Sequence, residues 1–281
     1  MIGMAPEDYD PAAVPISHAA TVMLVDDRPD LHVLMVHRTA RVVFAADMWV
    51  FPGGRVDPDD HLDDFDTLCR GLSDEQASKV LDVPKGGLAW WIAAARETLE
   101  EAGLFLASQT DAETIAEIRR LVLQDENLFA DVLLARGITL DVTPIEEVAR
   151  FVTPLGPPRR FDARFFVARA PADQHPSHDE GEIVNCEWIR PRDALDQWAD
   201  GEMEMMSPTV RMVACLARYD SADDVLAVAK KRLPYKRVRV DDPDGNYRVV
   251  LPGEPGYETA TLEIETGWVR LWEEEPICRS G

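Results

Sequence analysis

The 281 residues suffice for one large or two small domains, and a hydrophobic content of 46% supports a real core. Against 29 basic residues stand 52 acidic ones, a formal net charge of −23. Such a surface repels nucleic acid and anionic membrane, and no apolar run is long enough to span a bilayer, so neither is expected as a partner.

Along the chain, residues 1–14 are acidic and contain proline, without a basic start or an apolar run. They read as a loose tail, not a secretory signal. Residues 19–25 and 31–37 read as paired strands around the turn at 26–30, and residues 48–51 as a third short strand entering a glycine turn. A polar insertion follows at about 58–86. Within it Ser73-Asp74-Glu75-Gln76 has the capping-box pattern and predicts a helix to about Leu81. Pro84-Lys85-Gly86-Gly87 breaks the chain. Residues 88–95 are then almost wholly apolar, which predicts a buried helix with Gly103 at its stop. Residues 112–123 and 127–136 show helical periodicity and form a second insertion (about 106–150), in which 144–150 reads as a further short helix. Strands are expected at 164–168 and 183–189. Helices are expected at 191–198, from Ser207-Pro208, and from Ser221. The last 50 residues differ: 237–240 with 247–251 predict one hairpin, and 261–265 with 268–272 a second. The expected division is 15–220 for the main domain and 221–281 for a C-terminal extension. Cys69, Cys186, Cys215 and Cys278 are widely spaced, with no C-x2-C pair. They read as free thiols of a reducing compartment, and the expected location is cytoplasmic.

The chemistry concentrates in Arg96-Glu97-Thr98-Leu99-Glu100-Glu101-Ala102-Gly103-Leu104. At helical spacing Glu97, Glu100 and Glu101 share a face, where they repel one another unless a cation sits among them. Negative charge near a helix C-terminus is unfavourable as well. Hard divalent ions take such oxygen ligands. A lone acidic pair on a solvated face would carry no such implication, but these glutamates emerge from a buried helix.

Upstream lies Trp49-Val50-Phe51-Pro52-Gly53-Gly54-Arg55-Val56-Asp57-Pro58-Asp59-Asp60. Together with the glutamate helix it resembles the Nudix hydrolases, whose box reads G-x5-E-x7-R-E-U-x-E-E-x-G-U with U aliphatic. The second half matches from Arg96 to Leu104, with Thr98 replacing an aliphatic residue. Counted from Gly54, Asp60 stands where the family has Glu, and 35 residues separate it from Arg96 where the family has seven. A box split in this way resembles the branch of peroxisomal-type coenzyme A diphosphatases. Arg38, thirteen residues before Phe51, matches the start of a coenzyme A signature of another Nudix branch. The second Arg and the Gly of that signature fall on Val43 and Asp47.

The resemblance implies a Nudix α/β/α sandwich around a mixed sheet, with helical insertions and a C-terminal extension. It implies Mg²⁺ or Mn²⁺ held by Glu97, Glu100, Glu101 and the Gly54 carbonyl, with Arg96 orienting a glutamate. Glu182, six residues before Trp188, fits the general base by spacing; Glu180 and a box glutamate are alternatives. Arg38, Arg159, Arg160 and Arg164 are candidate phosphate holders, since arginine suits bidentate phosphate contact. The expected substrate is a small nucleoside diphosphate linked to X, coenzyme A or acyl-coenzyme A first, with ADP-ribose or NADH as the alternative. A non-catalytic nucleotide-binding module is the reading from another class, and a homodimer is left open.

Overall fold

The computed structural model describes residues 10–40, 45–62, 64–106, 110–178, 181–241, 248–260 and 267–272. In chain order the elements begin with strands β1 (Ile16–Asp27), β2 (Leu31–Arg38), β3 (Trp49–Val50) and β4 (Gly53–Arg55). Next come helix α1 (Phe65–Leu68), strand β5 (Cys69–Arg70), and helices α2 (Asp74–Leu81), α3 (Leu88–Ala102), α4 (Ala112–Val122) and α5 (Phe129–Arg136). Strands β6 (Leu140–Asp141), β7 (Glu146–Val152), β8 (Arg160–Arg169) and β9 (Ile183–Ile189) follow, then helices α6 (Pro191–Ala199), α7 (Ser207–Leu216) and α8 (Ala222–Lys230). The chain closes with β10 (Lys236–Arg237), β11 (Arg239–Asp241), β12 (Arg248–Val250) and β13 (Gly267–Val269).

Nine of these strands form one mixed sheet in the order β10-β13-β7-β8-β1-β2-β3, with β4 beside β1 and β9 beside β2. The central pair β1–β8 is parallel, from Ile16 opposite Arg160 to Val25 opposite Arg169, and its neighbours are antiparallel. Alternation along β1 fixes the layers. Val22 and Leu24 face α3 and the insertion helices, while Met23 and Val25 face α7, α8 and the C-terminal strands. The molecule is an α/β/α sandwich, as the resemblance implied.

Local signals account for the helices. Ser73 accepts from the Gln76 amide and the Gln76 side chain answers the Ser73 amide, starting α2 as a capping box. Ser221 caps α8 through the Asp224 amide, and Gly103 closes α3 in the left-handed region at φ 66°. Three expectations change. Residues 144–150 lie largely in strand β7, not a helix, because pairing with β8 and β13 outweighs their local periodicity. Residues 267–269 join the main sheet against β7 and β10 instead of closing a second hairpin, whose first strand, 261–265, lies outside the described residues. The first hairpin is present as β11–β12, while residues 236–237 belong to the main sheet. The two insertions also meet. β5 pairs with β6 in parallel, and the rings of Phe65 and Phe129 lie 6.1 Å apart, so both insertions form one layer over α3.

Candidate active site

The last two turns of α3 carry Arg96, Glu97, Glu100 and Glu101. Arg96 is 3% exposed and forks onto Asp60, Nε donating to Oδ1 at 3.0 Å and Nη2 to Oδ2 at 3.0 Å. Nη2 also donates to Asp57 Oδ2 and the Arg55 carbonyl, each at 3.1 Å. Nη1 donates to Glu97 Oε1 and Glu100 Oε1, each at 3.2 Å. The two halves of the split motif therefore touch through Asp60 and Arg96. Asp60, within the polar insertion, is 3% exposed. Arg96 orients two glutamates at once and offsets the charge gathered around it.

Glu101 has different partners. Its Oε2 accepts from the Gly53 amide at 2.9 Å and its Oε1 from Arg38 Nη1 at 2.9 Å. Arg38 Nη2 donates to Glu182 Oε2 at 2.8 Å. The Glu182 carbonyl is held by the Thr39 amide at 2.8 Å. Strand β2, the glycine turn, helix α3 and the segment entering β9 thus converge on one point. Gly54 stands against Glu97: a Cβ built there would lie 2.3 Å from Glu97 Oε1, so only glycine fits without displacing the carboxylate.

Burial pushes the Glu97 carboxyl well above its usual range, outweighing the pull of Arg96. It pushes Glu100 and Glu101 up to about 7, against the opposing charges of Arg96 and Arg38 respectively. Desolvation also raises Asp60 despite its hydrogen bonds with Arg96. Among the described residues, no three His, Cys, Asp or Glu side chains already converge as a cation cage. The carboxylate oxygens meet the two arginines instead. The donor set nonetheless fits a divalent cation: three desolvated carboxylates, hard in ligand character, short of positive charge and beside the Gly54 backbone.

The other expected phosphate holders are placed differently. Arg164 is 6% exposed and donates to Glu147 Oε1 at 2.7 Å and to the Leu81 carbonyl at 3.1 Å. This is a structural pair that ties β7, β8 and α2 together, and it removes Arg164 from the phosphate-holding set. Arg160 donates to the Thr153 carbonyl at 3.2 Å, and Arg159 is exposed. Among the described residues no ion pair links either to the glutamates. Glu180 lies outside the described residues, and His178 is exposed. The Gly53 amide was not foreseen as a partner of Glu101; a backbone donor carries no side-chain signal.

A model described as the NUDT19 Nudix domain matches residues 72–216, a span that holds all three glutamates and Arg96. The chain belongs to the Nudix family. This Nudix chain is 25% identical over 243 residues to the acyl-coenzyme A diphosphatase NUDT19 of Gallus gallus, covering 70% of this chain and 64% of that protein. It is 26% identical over 198 residues to putative nudix hydrolase 7 of Caenorhabditis elegans, covering 68% and 57%. The alignment thus spans less than two thirds of either relative's length. Among solved structures, a NUDIX hydrolase from Alicyclobacillus acidocaldarius superposes with a TM-score of 0.63 at 25% identity, over 76% of this chain and 97% of that one. The Nudix fold is therefore shared over 76% of the chain.

Proposed function

We propose that this Nudix chain hydrolyses the phosphoanhydride of a nucleoside diphosphate linked to X, with coenzyme A or acyl-coenzyme A as substrate. The observation that carries the reading is that Glu97, Glu100 and Glu101 all leave the same end of α3, where Arg38 bridges Glu101 to Glu182. The relatives named acyl-coenzyme A diphosphatase support the substrate class.

Glu97, Glu100, Glu101 and the Gly54 carbonyl would hold Mg²⁺ or Mn²⁺. When bound, such an ion neutralises charge on the diphosphate oxygens. The side chains do the rest. Arg38 offers a guanidinium fork to a phosphate oxygen. Glu182, with 62% of its side chain exposed and Arg38 beside it, takes the proton of the attacking water. A new oxygen–phosphorus bond then forms as the anhydride bond breaks, releasing 3′,5′-adenosine bisphosphate and a phosphopantetheine. Arg96 touches no substrate in this scheme; it holds Glu97 and Glu100. The free thiols Cys69 and Cys215 support a reducing compartment such as the cytoplasm.

The test is chromatographic. Coenzyme A, ADP-ribose and NADH are each incubated with the protein and Mg²⁺ or Mn²⁺. Selective conversion of coenzyme A to the bisphosphate is the expected result. Cleavage of ADP-ribose or NADH alone would keep the chemistry and discard the substrate. Tight nucleotide binding without turnover would point to a binding module.

A further inference from the structure

The C-terminal end of α3 is gripped by a residue outside the motif. Arg119, half-buried on α4 in the second insertion, donates to the Glu100 carbonyl twice, through Nε at 3.1 Å and Nη2 at 2.8 Å. Its Nη1 donates to Ser177 Oγ at 2.8 Å. The Ser177 amide in turn donates to the Ala102 carbonyl at 2.8 Å. Three residues earlier, Gln174 clasps Phe105: its Oε1 accepts from the Phe105 amide at 2.7 Å and its Nε2 donates to the Phe105 carbonyl at 3.0 Å.

The last carbonyls of a helix lack partners within it and carry partial negative charge. Helix α3 worsens this by placing Glu100 and Glu101 in the same turn. Arg119 supplies a cation and two N–H groups at that point. The approach is close because position 103 is glycine: a Cβ there would lie 2.6 Å from Ser177 Oγ and 2.8 Å from Arg119 Nη1, and the backbone is left-handed at φ 66°. Gly103 thus serves the helix stop and the docking of Arg119 together.

We propose that Arg119 is a positioning residue of the hydrolytic site. It fixes the turn carrying Glu100 and Glu101 and, with Ser177, ties the end of α3 to the second insertion. The second insertion is thereby a working part of the site. The proposal rests on the reading of Glu100 and Glu101 as cation ligands.

The experiment compares wild type, Arg119→Ala, Arg119→Lys and, as control, Arg120→Ala, an exposed neighbour. Mn²⁺ affinity is measured by electron paramagnetic resonance on the substrate-free protein. Values of kcat and KM for coenzyme A are measured well below the melting temperature. Arg119→Ala should weaken Mn²⁺ binding and lower kcat by about tenfold or more, with KM within about twofold of wild type, the scale of groups that orient metal ligands. Arg119→Lys should stay impaired in both, because an ammonium cannot reproduce the planar fork on the Glu100 carbonyl. Arg120→Ala should match wild type. Wild-type Mn²⁺ affinity and kcat in Arg119→Ala, with only the melting temperature lowered, would overturn the proposal, as would a rise in KM alone. Should Arg119→Ala fail to fold, Ser177→Ala gives the same readouts while removing one hydroxyl. Should the wild type cleave none of coenzyme A, ADP-ribose and NADH, the functional reading falls, and Mn²⁺ affinity alone decides the role of Arg119.

Discussion

Arg96 sits almost out of solvent among Asp57, Asp60, Glu97 and Glu100. Its bidentate partner is Asp60, and a buried guanidinium stripped of such a partner is costly. Asp60→Ala is expected to destabilise the fold by about 3–5 kcal/mol in urea unfolding; a loss below about 1 kcal/mol would mean that Asp57 carries the charge instead. The glutamates make a prediction about pH. Their folded-state pKa values are raised by burial, Glu100 and Glu101 to about 7 from 4.5, so the cation-free folded chain holds protons that the unfolded chain has released. Their contribution to stability is therefore fully present below about 4.5 and falls as pH rises through about 7. A bound cation favours the ionised carboxylates. Mg²⁺ affinity should consequently rise with pH across that window, with proton release measurable by calorimetry in buffers of different ionisation enthalpy. Affinity that stays flat across the window would separate these carboxylates from cation binding.

At the scale of elements, local chemistry was readable and distant pairing was not. Ser73 with Gln76, Ser221, and Gly103 each announced a helix end because capping is settled within a few residues. The glutamate cluster was readable because helical spacing fixes a face. Strand β7 was misread because Ile145, Val148 and Ala149 recur at helical spacing, while the strand is imposed by β8 and by β13, far along the chain. Arg164 looked like a phosphate holder because nothing local reveals its partner Glu147. Arg38 and Glu182 are candidates by spacing within the resemblance, and Arg38 Nη2 donates to Glu182 Oε2 at 2.8 Å. The C-terminal strands are part of the fold: Val238, Leu251, Val269 and Leu271 are all fully buried, in one core with α7 and α8. Truncation before β10 should therefore lower the thermal transition of the whole protein. An unchanged melting temperature would make the last 50 residues an appendage.

At the scale of the molecule, a net charge of −23 opposes a diphosphate substrate. The site answers with Arg38 and Arg96 and, in the proposed function, with divalent ions. Raising ionic strength to about 0.15 M should screen the long-range repulsion and increase kcat/KM for coenzyme A. A steep fall would show that the local arginine field dominates approach. The central claim is that the glutamates at the end of α3 hold the ion that makes the chain a hydrolase. It is tested most directly by Glu101→Gln, compared with wild type in Mg²⁺-dependent hydrolysis of coenzyme A, with circular dichroism as the check on folding. The account predicts a native spectrum and a loss of kcat of about a thousandfold, the scale of removing a group that stabilises the transition state. A folded Glu101→Gln protein that turns over like wild type would contradict it.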